Sequence, residues 1–163
     1  MQTKHILEDI TGLDSRILID DSEKLWLHVK HLEERSSREL SIVMDNSGLE
    51  MFADLCFAIY CLSHKLFDTV KLYVKKIPWF VSDVTPIDIE WAIQQMKSFR
   101  DCSGDNSKLK MFAEKCLVYL DSDQLQILAE GFWTLPLPYH VMPEKDPKLF
   151  HTLGQSQLII FKG

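Results

Sequence analysis

Two carboxylates and an amide form the set in this sequence most suited to chemistry: Asp45 and Asn46, side by side ahead of Ser47-Gly48, and Asp83 further along the chain. All three are hard oxygen donors. They suit Mg²⁺ or Mn²⁺, with waters and a substrate phosphate filling the rest of an octahedron. Ser47-Gly48 reads as a tight turn into a helix, whose first free N–H groups favour an anion at the same place. A metal ion beside a helix N-terminus suggests a phosphate ester. Each piece also has a plainer reading, with Asp-Asn-Ser-Gly as an Asx turn capping a helix and Asp83 as the cap of the helix that follows it.

The set works only if folding brings its members together. Residues 40–44, Leu-Ser-Ile-Val-Met, are a β-prone run that stops at Asp45. Residues 49–63 are apolar on nearly every side, as suits a helix buried against a sheet, and residues 69–74, Thr-Val-Lys-Leu-Tyr-Val, read as a second strand. Strand, helix, strand predicts a right-handed crossover into a parallel sheet, in which the loops carrying Asp45-Asn46 and Asp83 share one edge. Residues 75–86 read as the second of those loops, and Pro86 suits the first turn of a helix over 87–99. After a turn at 103–106 the periodicity predicts helices over 108–119 and 122–130, the latter capped by Asp121 or Ser122. A proline-punctuated loop over 134–147, a short helix and a third buried strand over 157–161 complete the reading.

The expected fold is therefore α/β, a three-layer Rossmann-like parallel sheet with flanking helices. Residues 1–38 form a helical lead-in, its second helix capped by Asp21 or Ser22, and residues 39–163 form the α/β domain. That domain is expected to be incomplete at its C-terminal end, because functional loops follow strand ends in open sheets and the chain stops two residues after the last strand.

Other candidates weigh less. Glu50 and Asp54 lie one turn apart on one helix face; Glu50 complements the helix dipole or stands at the rim of the ligand site, and Asp54, buried in an apolar run, needs a basic partner. His28 and His31 lack accompanying ligands at zinc spacing, and Trp79-Phe80 either stacks on a substrate ring or plugs the sheet edge. Serine-hydrolase elbow, P-loop and dinucleotide glycine motifs are all absent. A net charge of −6 without basic runs argues against nucleic acid as a partner. The longest apolar stretch, broken by Asp54, falls short of the ~20 residues a bilayer crossing needs, which argues against a membrane. The four cysteines form no CxxC pair and the N-terminus lacks a signal-like apolar region, so reduced thiols and a cytoplasmic location are expected.

Three stretches carry a more specific likeness. Asp45-Asn-Ser-Gly-Leu-Glu-Met-Phe-Ala-Asp-Leu55, then Lys75-Lys-Ile-Pro-Trp-Phe-Val-Ser-Asp-Val-Thr85, resemble the two hallmark motifs of the damage-control phosphatase family, in its eukaryotic branch also named acidic-residue or protein-glutamate O-methyltransferase. Leu158-Ile-Ile-Phe-Lys-Gly163 resembles the start of that family's third motif. The resemblance implies a Mn²⁺, Ni²⁺, Co²⁺ or Mg²⁺ ion held by Asp45, Asn46 and Asp83, with the same residues and Lys162 contacting the substrate phosphate and with Asp45 and Asp83 as catalytic residues. Small phosphorylated metabolites such as fructose 1-phosphate and fructose 6-phosphate are the implied substrates. Glu50 matches a position assigned to S-adenosylmethionine in the methyltransferase description of the family, and Lys75 lies in the approach to Pro-Trp-Phe. The family carries a larger helical N-terminal portion and continues its third motif beyond Lys-Gly, so this chain is expected to be truncated at both ends. Beside metal-dependent phosphatase stand two other readings, an S-adenosylmethionine-dependent protein-glutamate methyltransferase and a truncated non-catalytic module that binds metal or a partner.

Overall fold

In the computed structural model, residues 16–32, 37–100, 104 and 107–163 are described. The chain divides into two units, residues 1–34 and 35–163. The first contains α1, Ser22–His31, with Asp21 at its N-cap; the Asp21 side chain does not cap the helix, and the Ser22 N–H bonds Asp20 instead, at 2.9 Å. The rest of the expected helical lead-in, residues 1–15 and 33–36, lies outside the described residues, as does Cys102.

The second unit is built on four parallel strands: β1, Glu39–Val43; β2, Thr69–Lys75; β3, Leu125–Glu130; and β4, Leu158–Phe161. Their order across the sheet is β3-β2-β1-β4. Helix α2, Leu49–Ser63, joins β1 to β2, while α3, Pro86–Ser98, and α4, Ser107–Asp121, lie between β2 and β3. A strand covered on both faces must be apolar at consecutive positions, and Leu40 through Met44 are all buried, Ser41 included. One face carries Val43 and Tyr73, packed with Phe132, Trp133, Met142, Leu149 and Leu153. The alternate residues Leu40, Ile42, Val70, Leu72 and Val74 are also buried, and on the helical side α2 packs on β2 while α3 and α4 pack on β3. Helices, sheet and a capping segment after β3 make the three layers.

Three expectations are corrected. Residues 122–130 are not a helix: α4 runs through Asp121, a turn with Asp123 in the left-handed region (φ 61°) follows, and only a strand's length remains. Leu-Gln-Ile-Leu-Ala-Glu contains good helix formers, but ladder pairing with β2, Val70 opposite Leu125 through Lys75 opposite Glu130, outweighs that weak preference. The stretch over 134–147 is not one open loop. It follows a 3₁₀ turn, Gly131–Thr134, and contains a second, Tyr139–Val141, and a short helix α5, Met142–Lys145, before α6, Pro147–Leu153. The closing strand is half-buried rather than buried, because among the described residues β4 pairs with β1 alone.

No helix among the described residues is long and apolar enough to cross a membrane. Burial pushes the Cys61 thiol up to about 11 and that of Cys116 up to about 12, so both stay protonated and serve as small core hydrophobes.

Candidate active site

β1 and β2 are neighbours running the same way, so the loops after them leave the sheet at one edge. After β1 the chain turns through Asp45 to Gly48, the N-cap of α2, which has φ 75° and ψ −132°, a conformation open to glycine and few other residues. After β2 the chain folds back on the first loop. Lys75 N–H bonds the Val84 carbonyl at 3.0 Å, Val84 N–H the Asp45 carbonyl at 3.0 Å, and Ser47 N–H the Ser82 carbonyl at 2.7 Å. Asn46 and Asp83 form an antiparallel bridge. This strapping sets the backbone positions of all three expected ligands.

Asp83 is 6% exposed. One carboxylate oxygen, Oδ2, accepts the backbone N–H groups of Trp79 and Phe80, each at 2.8 Å. It does not cap the next helix; Thr85 and Asp88 do so with a reciprocal capping box. The other oxygen, Oδ1, lies 3.9 Å from the Lys75 ammonium, and Asp45 Oδ1 lies 3.6 Å from it. Asn46 donates through Nδ2 to Asp45 Oδ2 at 2.9 Å and to Glu50 Oε2 at 3.0 Å, and its Oδ1 accepts the Ser82 hydroxyl at 2.7 Å.

A cavity of about 260 Å³ opens over this edge, lined by Asp45, Lys75 and Asp83, by the largely exposed rings of Trp79 and Phe80, and by residues 133–136 after β3. The expected pair Asp45 and Asp83 therefore faces a cavity, while Asn46 is bonded to Asp45 without lining it. Trp79 and Phe80 line the cavity while largely exposed, unlike a plug buried at the sheet edge. Among the described residues no group of three or more His, Cys, Asp or Glu side chains gathers to hold a metal, His28 and His31 included, so a centre here would rest on the two carboxylates, with the Asn46 amide oxygen joining only on release from Ser82. That donor set fits a hard dication. The gap between the two carboxylates already accommodates positive charge, since both face one ammonium at distances beyond a hydrogen bond.

Comparison with known proteins decides the family. The damage-control phosphatase ARMT1-like domain matches residues 2–163. The chain belongs to the ARMT1-like damage-control phosphatase family. It is 36% identical to mouse damage-control phosphatase ARMT1 over 166 residues, covering 99% of this chain and 36% of the mouse protein. The human ARMT1 protein is 36% identical over 171 residues, again covering 99% of this chain and 36% of its own length. Zebrafish ARMT1 is 34% identical over 165 residues, 96% of this chain and 35% of its own length. The chain thus spans a little over a third of the length of these relatives.

The ARMT1-like likeness extends to the end of β4, where Lys162 reaches back to α2. Its N–H bonds the Val43 carbonyl at 3.0 Å, and its ammonium lies 3.1 Å from Asp54 Oδ1 and 3.4 Å from Glu50 Oε1. The Asn46 hydrogen bond holds Glu50 below the usual carboxylate range against a desolvation cost, with a smaller contribution from the charge of Lys162. Burial pushes Asp54 upward, more than Lys162 pulls it down. Burial alone would lower Lys162, but its hydrogen bond to Asp54 and the charges of Asp54 and Glu50 hold it above the ordinary lysine value. The shifts disagree over one contact, Asp54 leaning toward neutral and Lys162 toward charge. The more exposed Lys162 keeps its proton and the charge state of Asp54 is the softer of the two. Asp54 has the basic partner that its apolar surroundings demanded, while Glu50 shares that lysine and joins the cluster through Asn46.

Two parts of the site were not singled out in the sequence. Ser82 lies within the second hallmark stretch but was given no role of its own. The wall at 133–136 was hidden by reading 122–130 as a helix; read as a third parallel strand, that segment would have brought its following loop to the same edge.

Proposed function

We propose that this chain carries the metal-binding half of a phosphomonoester hydrolase site acting on small phosphorylated metabolites, with fructose 1-phosphate and fructose 6-phosphate as the substrates suggested by family resemblance. The observation that carries this reading is the convergence of Asp45 and Asp83, with Asn46 bonded to Asp45, on one cavity at the C-terminal edge of two parallel strands. Asp45, Asn46 and Asp83 would hold a divalent ion, Mn²⁺ or Ni²⁺ in preference to Co²⁺ or Mg²⁺. Such an ion supplies Lewis acidity to a phosphoryl oxygen and lowers the pKa of a bound water.

The chain's own residues account for the remaining functions. The backbone N–H groups of Trp79 and Phe80 fix the Asp83 carboxylate so that one oxygen is left for the cavity. Glu50 orients the Asn46 amide by accepting from its nitrogen. Trp79, Phe80 and Trp133 give the cavity aromatic edges against which the carbon skeleton of a sugar can rest. Lys162 is held by Asp54 and Glu50, beside the cluster and outside the cavity lining, so a phosphate role for it requires a different side-chain position.

Methyl transfer from S-adenosylmethionine ranks below hydrolysis, because the sequence has no glycine-rich adenosine loop and Glu50 is already engaged by Asn46 and Lys162. The test is release of phosphate from p-nitrophenyl phosphate and fructose 1-phosphate with Mn²⁺, Ni²⁺ or EDTA. Metal-dependent turnover abolished in both Asp45→Ala and Asp83→Ala is the expected result. A chain that Mn²⁺ stabilises but that releases no phosphate would instead be a metal-binding module without catalysis.

A further inference from the structure

Lys75 is the last residue of β2 and lines the cavity, its side chain 17% exposed. Its backbone is fixed by the β3 ladder and by the bond to Val84, which leaves the side chain as its movable part. Two other lysines make short contacts, Lys71 of β2 with Glu39 at 2.6 Å and Lys162, just after β4, with Asp54 at 3.1 Å. Lys75 differs. At 3.6 and 3.9 Å from Asp45 and Asp83 its ammonium is held by the field of two carboxylates rather than by a directed bond. An ammonium on a four-carbon stem held in this way can be displaced at low cost.

Charge then sets what happens when the site fills. Two carboxylates and one ammonium leave one negative charge in excess. A dication between the carboxylates reverses this to one positive, and the ammonium, now repelled by the ion that has taken its place, has no local partner. The cavity in front of it is where an anion would bind.

We propose that Lys75 is an exchangeable counter-ion: it holds Asp45 and Asp83 together in the metal-free protein and passes to the phosphate group of the substrate once a divalent cation is bound. This rests on the metal-dependent phosphatase reading above and adds a phosphate-binding residue to it. It has a consequence that a purely structural ion pair lacks. Removing the charge has opposite effects on the two ligands, tightening the metal, which no longer competes with an ammonium, and weakening the phosphate.

The experiment is calorimetric titration of the full chain, first with Mn²⁺ alone and then, Mn²⁺-loaded, with inorganic phosphate, for the parent, Lys75→Gln and Lys75→Arg. In Lys75→Gln, Mn²⁺ binds roughly fivefold tighter and phosphate roughly tenfold weaker, as expected from losing one partly screened charge contact; Lys75→Arg stays near the parent in both. If Lys75→Gln lacks a cooperative melt without metal, the counter-ion role requires that Mn²⁺ restore it. Unchanged or weaker Mn²⁺ binding in a folded Lys75→Gln, or an unfolded variant that Mn²⁺ does not rescue, overturns the inference while leaving the metal site intact. A parent that takes up no Mn²⁺ overturns the phosphatase reading and this inference with it.

Discussion

The loop over 76–85 and the first turns of α2 each bury a carboxylate, and they hold it differently. Asp83 is fixed by backbone: two N–H groups of its own loop converge on one oxygen, and the loop is strapped to the neighbouring strand end by main-chain bonds. Asp54 is fixed by one side chain. Lys162 meets its Oδ1 from 108 residues away, and its Oδ2 is buried without a partner. A carboxylate gripped by backbone donors has a set position and a free oxygen to offer, as a ligand must. One that depends on a single distant lysine is a joint between elements, here β4 and α2, and burial raises its affinity for a proton. The contrast separates the proposed metal ligand from the residue that ties the last strand down.

The largest effect should come from Asp83→Ala. It orphans the N–H groups of Trp79 and Phe80 and loosens the strap, so we expect a loss of about 1–3 kcal/mol in a urea melt together with complete loss of metal-dependent turnover. Next is Lys162→Met, which removes the bond to Asp54 and one contact to Glu50. With Lys162 30% exposed, the cost should be ~1 kcal/mol, with little change in Mn²⁺ affinity. A large fall in Mn²⁺ affinity would blur the contrast, making Lys162 part of the centre.

The smallest effect, and the sharpest in sign, is that of Asp54→Asn. The folded pKa of Asp54 is raised above its ordinary 3.8, so the folded state favours the proton. Its contribution to stability is fully present below the unfolded value near 3.8 and is lost as pH rises through the higher folded value. The neutral amide avoids that loss. Melts of parent and variant at a series of pH values should show Asp54→Asn at least as stable as the parent at neutral pH, with the difference shrinking as pH falls toward 3.8. Glu50, shifted the other way, contributes stability above its ordinary 4.5 and loses it as pH falls through the lower folded value, but it does so in parent and variant alike, so the difference between the two melts reports Asp54.

Much of this arrangement was legible in the residues. Thr-Val-Lys-Leu-Tyr-Val and Leu-Ser-Ile-Val-Met are apolar or β-branched enough that no competing reading survives, and their order around an apolar helix implies a parallel pair whose loops meet. That order places Asp45, Asn46 and Asp83 at one edge, as the structure has them. Leu125–Glu130 was not legible, because Leu, Gln, Ala and Glu favour a helix locally and only the exposed ladder of β2 makes the strand preferable. That one misreading hid the cavity wall at 133–136. The partnership of Lys162 with Asp54 is a contact across most of the domain, which no local pattern encodes, although the isolated charge in α2 did imply that some basic partner existed.

The most direct test is calorimetric titration of Mn²⁺ into the parent chain and into Asp45→Asn, which keeps the size of the side chain and its place beside Asn46 while removing one carboxylate charge. One Mn²⁺ per chain in the parent, with binding abolished or weakened at least tenfold in the variant, is the result predicted for a hard-ligand centre. Equal binding in both would place any metal elsewhere and contradict the account.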